Sequence, residues 1–222
     1  MASRYCHDSA RTLYLLVHLQ PGGESMSIVE QSKPTIETFL PMTQAQLTER
    51  LVNGHPIEPS ALDNTEYKGI SLGLPAFVDR LAWKTFKKVF HRDPDTGALR
   101  GWNIRIEQTG LYGPYKPMLK KGEPFTWGHY GVVSNANRPC GKRTEQALLL
   151  DYGLGKNAWY DVVTSATRDP LVALEPGSVD TLLGWSYLQF GFLRIPTPSF
   201  FLLVRDGPLT RVVQPPRARA HR

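Results

Sequence analysis

The stretch TWGHYGVV, residues 126–133, sets a histidine among aromatic residues in strict alternation. As a strand it places Trp127, His129, Gly131 and Val133 on one face and Thr126, Gly128, Tyr130 and Val132 on the other. Beside Trp127 the imidazole has an apolar setting, which lowers its pKa and keeps it neutral, fit to donate or accept one hydrogen bond. Asp151, at the end of ALLLDYG, belongs to the strand expected to pair with this one across NANRPCGKRTEQ. With both side chains on the same face, His129 and Asp151 form a base and its orienting carboxylate, the arrangement used for proton abstraction. Two plainer readings stand beside it: a core histidine with satisfied nitrogens, and an aspartate that makes a turn before Tyr-Gly.

Other motifs fall away on their spacing. DYGLGKN holds Gly-Lys, but a phosphate-binding loop needs a glycine where Leu150 stands and Ser or Thr where Asn157 stands. GWSYL presents Ser186 with Leu188 where a nucleophile elbow requires glycine. His55, His91 and His129 lack ligand-type neighbours at metal-binding spacing, so no metal and no cofactor is expected. Cys6 and Cys140 make neither a disulfide framework nor a redox pair, which fits a reducing, cytoplasmic setting.

The elements that must position such residues are short. MTQAQLTERLVNGH (42–55) reads as a helix capped by Thr43, with Leu47, Leu51 and Val52 at helical spacing. EYKGISL suits a first strand. In PAFVDRLAWKTFKKVF the stripe Val78, Leu81, Ala82, Thr85, Phe86 and Val89 suggests a second helix over the first half; the end, KKVFHR, equally suits a strand before the DPDTG turn. From residue 98 onward short alternating runs follow, LRGWNIRIEQTG, TWGHYGVV, ALLLDYG, DVVTSATRDPLVAL, LLGWSYLQFG and PSFFLLVRDG, separated by Gly- and Pro-rich connections. Seven to nine strands at this spacing predict a mainly β fold, an antiparallel up-and-down barrel with one or two short helices in the N-terminal half. In LRGWNIRIEQ either Trp102, Ile104 and Ile106 or Asn103, Arg105 and Glu107 face the barrel interior, and the other face meets solvent or a cover.

Composition bounds the rest. The chain has 222 residues, 41% of them hydrophobic and 10% aromatic, enough for one domain with a real core, which excludes a wholly disordered chain. Of the formal net charge of +6, four charges come from arginines in the last twelve residues, RVVQPPRARAHR, where no acid occurs. The remainder is close to neutral, so nucleic acid is not an expected partner. The chain divides into an N-terminal extension (1–25) that is non-native or disordered, a helical lead-in (26–60), the barrel (61–208) and a disordered basic tail (209–222). The apolar run LYLLVHL is short for a leader, Met26 reads as an ordinary beginning, and no stretch is long enough to span a bilayer.

The order of a Tyr-Lys-Gly strand, an amphipathic helix with Trp83, and alternating strands ending in PSFFLLVRDG resembles the bacterial lipocalin-like domains whose first strand carries a G-x-W-x-G type motif. EYKG keeps Tyr67 and Gly69 and lacks the tryptophan and the first glycine of that motif. The resemblance implies a lipocalin-like fold with a pocket for an apolar or amphipathic small molecule and carries over no catalytic residue. Two functions follow. One is a carrier in which Trp102, Arg105, Trp127, Tyr130, Trp185 and Tyr187 bind such a molecule and His129 orients it. The other is a cofactor-independent isomerase, cyclase or hydrolase with His129 as general base and Asp151 beside it. A third reading is a partner-binding module. Oligomeric state is not legible.

Overall fold

The computed structural model describes residues 34–73, 84–135 and 144–217. The extension at 1–25, both cysteines and the first half of the expected second helix lie outside the described residues. Eight strands form a closed barrel: β1 (Thr65–Leu72), β2 (Thr85–Arg92), β3 (Leu99–Arg105), β6 (Thr126–Ser134), β7 (Leu148–Asp151), β8 (Thr167–Ala173), β9 (Thr181–Phe190) and β10 (Leu193–Pro208). They pair antiparallel in that order and β10 closes on β1. A small hairpin, β4 (Leu119–Lys120) with β5 (Glu123–Pro124), rises from the connection between β3 and β6. The predicted class and architecture hold: a mainly β, closed antiparallel barrel, compatible with a lipocalin-like fold, with two short helices in the N-terminal half. KKVFHR takes its strand alternative. Its residues alternate across β2, and the register Phe86↔Arg105 to Arg92↔Leu99 ties all of it to β3.

Local chemistry explains the elements. Thr43 caps helix α2 (Gln44–Val52), its side chain accepting from the Gln46 amide while Gln46 reaches back to the Thr43 amide. The β2–β3 turn is DPDTG, where Asp93 accepts from the amides of Asp95 and Thr96 and Gly97 takes positive φ.

Alternating residues from all eight strands meet in the lumen, among them Tyr67, Phe86, Phe90, Leu99, Tyr130, Leu150, Leu171, Leu182, Phe201 and Leu203. Aromatic rings lie over lumen glycines of neighbouring strands: Phe86 against Gly69, Tyr130 against Gly101, Phe201 against Gly184. A Cβ at any of these would fall within 2.6 Å of the ring it faces. At one end a 3-10 turn, Pro59–Leu62, helps seat Ile57 and Leu62 with Val179 in the lumen core and plugs it.

The outer wall is covered as well. Helices α1 (Ile36–Phe39) and α2 lay Phe39, Leu47 and Leu51 on Ile70, Leu149, Val172, Leu183, Trp185 and Phe200. On the opposite flank Leu209 and Val213 pack on Val89, Trp102 and Ile104. Residues 209–217, assigned from their Pro and Arg content to a tail, thus run along the barrel, tied by Leu209 N donating to Asn64 O (2.8 Å) and Arg100 donating to Val213 O (3.0 Å).

Candidate functional site

The strongest chemistry sits in the lumen. In β2 the alternation that turns Phe86 and Phe90 inward also turns Lys88 inward, and it is fully buried at 1% exposure. Its charge faces Asp169 of β8, likewise buried, across the barrel: the two strands stand four places apart in a ring of eight. Lys88 Nζ lies 3.5 Å from Asp169 Oδ2 and donates to the Tyr152 hydroxyl at 2.8 Å. Tyr152 donates in turn to Asp169 Oδ2 (2.8 Å), Ser186 Oγ donates to Asp169 Oδ1 (2.7 Å), and Asn103 Nδ2 approaches the Tyr152 oxygen at 3.4 Å. The ammonium also lies over the rings of Tyr130 (4.7 Å) and Phe201 (4.9 Å).

Burial sets the electrostatics. Loss of water pushes the Lys88 ammonium down to about 8, against the pull of Asp169. The same loss raises the Asp169 carboxyl, opposed by Lys88, Ser186 and Tyr152. Tyr130 and Tyr152 rise well above 10, chiefly through burial and then through the Asp169 charge. An amine near neutrality, a phenol touching it and a carboxylate behind the phenol can hold an anionic or carbonyl group or relay a proton. Neither Lys88 nor Asp169 is visible to a motif search. The usable signal is parity: Lys88 sits between Phe86 and Phe90, and Asp169 precedes Leu171 and Ala173 on the same face.

The residues singled out from sequence distribute differently. A bulge interrupts β6: Gly101 pairs with Tyr130 but Asn103 pairs with Trp127, so one extra residue opposes Trp102. Gly128 takes φ +56°, and a Cβ there would meet Asn103 Nδ2 at 2.8 Å. Trp127 and His129 therefore part company, although strict alternation places them together. Trp127 shares the lumen face of Asn103 at the rim end of β6, and His129 turns outward against Trp102, ring centroids 6.0 Å apart. Asn157 holds the bulge, accepting from the His129 amide and donating to its carbonyl, both at 2.8 Å.

His129 and Asp151 are not brought together as a base with its carboxylate. The His129 Nδ1 is buried without a hydrogen bond, and burial with the nearby Arg100 charge pushes its pKa down to about 4. Asp151 instead accepts from the Gly153 amide (2.9 Å) and pairs with Arg168 (3.1 Å), ordering the turn after β7. Of the six residues read as lining a pocket, Tyr130, Trp127 and Arg105 share the lumen parity, Arg105 with its guanidinium over Phe125 at 4.5 Å. Trp102, Trp185 and Tyr187 stand outside, Trp102 beneath the C-terminal segment and the other two in the cluster that α1 and α2 cover. A wall covered on both sides has apolar residues on both faces, so alternation alone does not tell lumen from exterior.

Two clefts lie away from this centre, one of about 350 Å³ by Ile57, Ala61 and Val179 and one of about 280 Å³ by Met42, Glu49 and Asn53. Among the described residues no group of three or more His, Cys, Asp or Glu gathers to hold a metal, and no helix is long and apolar enough to cross a membrane. No protein-family model matches the chain, and no curated protein matches it in sequence.

Proposed function

We propose that the barrel binds an amphipathic small molecule whose anionic or carbonyl head group meets Lys88 in the lumen. One observation carries this reading: a cation held at the centre of an aromatic-filled barrel, opposite a single carboxylate. A buried ion pair contributes little net stability compared with apolar residues of similar volume, so stability alone gives weak reason to place one there. A ligand entering from the rim end would pass Arg105, Trp127 and Phe86, which stand on the lumen side of that end, before displacing Asp169 as partner of the ammonium. The buried aromatic residues around Lys88 suit an apolar body.

Binding of oleate and oleyl alcohol, which share a chain and differ at the head, tests the reading by tryptophan fluorescence. Oleate is expected to bind at least about tenfold more tightly, a difference of about 1.4 kcal/mol. The double variant Lys88→Met/Asp169→Leu, which removes both charges at the lumen centre, is expected to erase that preference. Equal affinities in the parent, or a preference that survives in the double variant, overturn it.

The same contact favours a second reading, a cofactor-independent enzyme with Lys88 rather than His129 as base. The 2.8 Å contact with Tyr152 gives the amine a partner for proton exchange. Turnover would then rise with pH through about 8, as the ammonium gives up its proton.

A further inference from the structure

The exposed large apolar residues are not spread over the molecule. Fourteen are exposed among the described residues, and all but Leu40 and Val212 belong to the rim end of the barrel, opposite the plug. They sit on three connections and the strand ends beside them. Between β7 and β8 are Leu154, Trp159 (80% exposed), Tyr160, Val162 and Val163. On the β9–β10 hairpin are Phe190, Phe192 (100% exposed), Leu193 and Ile195. The first group continues into helix α3 (Val162–Ala166), which packs beside β9, so the two are neighbours. The third connection, between β3 and β6, adds Tyr112 and Leu119, with Trp127 just beyond it.

Charge on these connections has one sign to spare. Their carboxylates are engaged locally: Glu107 by Lys116 at 3.1 Å, Glu123 by Arg211 at 2.6 Å, and Asp161 as the cap of α3. Lys120 and Lys121 lie at the turn end of the β4–β5 hairpin, and Lys156 is exposed on the β7–β8 connection three residues before Trp159. Aromatic side chains standing in water beside lysines match a bilayer interface, where rings settle at head-group depth and ammonium groups meet lipid phosphates.

We propose that the rim end of the barrel docks on a membrane surface containing anionic lipid, inserting Phe192, Trp159 and their neighbours while Lys120, Lys121 and Lys156 meet the head groups. This mode lies on the bilayer and spans nothing. It stands apart from ligand binding in the lumen, since none of these residues touches Lys88 or Asp169.

Co-sedimentation of the full chain with vesicles of phosphatidylcholine alone, or of phosphatidylcholine mixed with phosphatidylglycerol, tests it. Binding to the mixed vesicles is expected, weaker by about tenfold or more on the neutral ones. Trp159→Ser/Phe192→Ser should reduce vesicle binding about tenfold or more without moving the unfolding midpoint, since both side chains are solvated. Lys120→Gln/Lys121→Gln should remove much of the preference for anionic lipid. The proposal is overturned if the parent binds neither vesicle, or if the Trp159→Ser/Phe192→Ser protein binds like the parent. It is equally overturned if the parent is a dimer that those substitutions dissociate, which assigns the patch to a second copy. Loss of oleate discrimination in Lys88→Met/Asp169→Leu with vesicle binding intact separates the fate of this surface from that of the lumen.

Discussion

At one end of the barrel Ile57, Leu62 and Val179 fill the opening and are buried; at the other, Phe192, Trp159 and Tyr160 stand in water. Both ends use large apolar side chains, but only the plug gains from burying them in the folded chain itself. Between them lies the Lys88–Asp169 pair, polar where a purely structural core would be apolar. The exposed rim and the polar centre are the two places where the chain departs from what burial of apolar surface favours.

The largest effect is expected at the centre. Lys88→Met strands the Asp169 carboxylate in the lumen and is expected to cost about 3–5 kcal/mol in denaturant unfolding, whereas Lys88→Met/Asp169→Leu should recover most of that loss. A double variant as unstable as the single one would mean that the pair is a structural keystone. Next come the two ends. Leu62→Ala should cost about 2–5 kcal/mol because it opens a cavity in the plug. Phe192→Ala should change stability by less than about 0.5 kcal/mol, because it removes a solvated ring. Similar costs at the two sites would erase the distinction between plug and rim.

The smallest effect separates lumen from outer wall by pH. The folded pKa of Lys88, about 8, lies below that of a free lysine, so between the two values the unfolded chain binds more protons and stability rises with pH. That rise is opposed above about 10, where unfolded tyrosines ionise while Tyr67 and Tyr115, pushed up to about 12, stay protonated. His129, at about 4, acts in acid: stability falls as pH drops from about 6.5 toward 4, where the unfolded imidazole takes a proton and the buried one does not. His129→Phe should make the acid limb shallower, leaving the part due to His91, Glu66 and Asp206, whose folded pKa values are also lowered, and Lys88→Met/Asp169→Leu should flatten the alkaline rise, both read from unfolding midpoints across pH.

Much of the fold was legible because its signals are local. DPDTG makes its own turn hydrogen bonds, Thr43 and Gln46 their own capping box, and Phe86-Lys87-Lys88-Val89-Phe90 alternates as a strand must, even though its spacing also fits a helix. The candidate site was less legible. One glycine at positive φ, Gly128, lengthens β6 by a residue and sends Trp127 and His129 to opposite sides of the wall. Trp102, Trp185 and Tyr187 look like pocket residues only while the outer wall is taken to be wet. Leu209 and Val213, hidden in a proline- and arginine-rich segment, and Leu47 and Leu51 of α2 make that wall a second apolar interface.

By itself the sequence determined the class of structure, its turns and, outside the bulge of β6, which residues share a strand face, because backbone sterics, capping and period-two alternation act over a few residues. Which face is the lumen, that Lys88 meets Asp169 from the far side of the ring, and that the exposed rings gather at one end were decided only by closure of the barrel. Closure joins strands distant in sequence, and register across them, not composition, chooses which side chains meet.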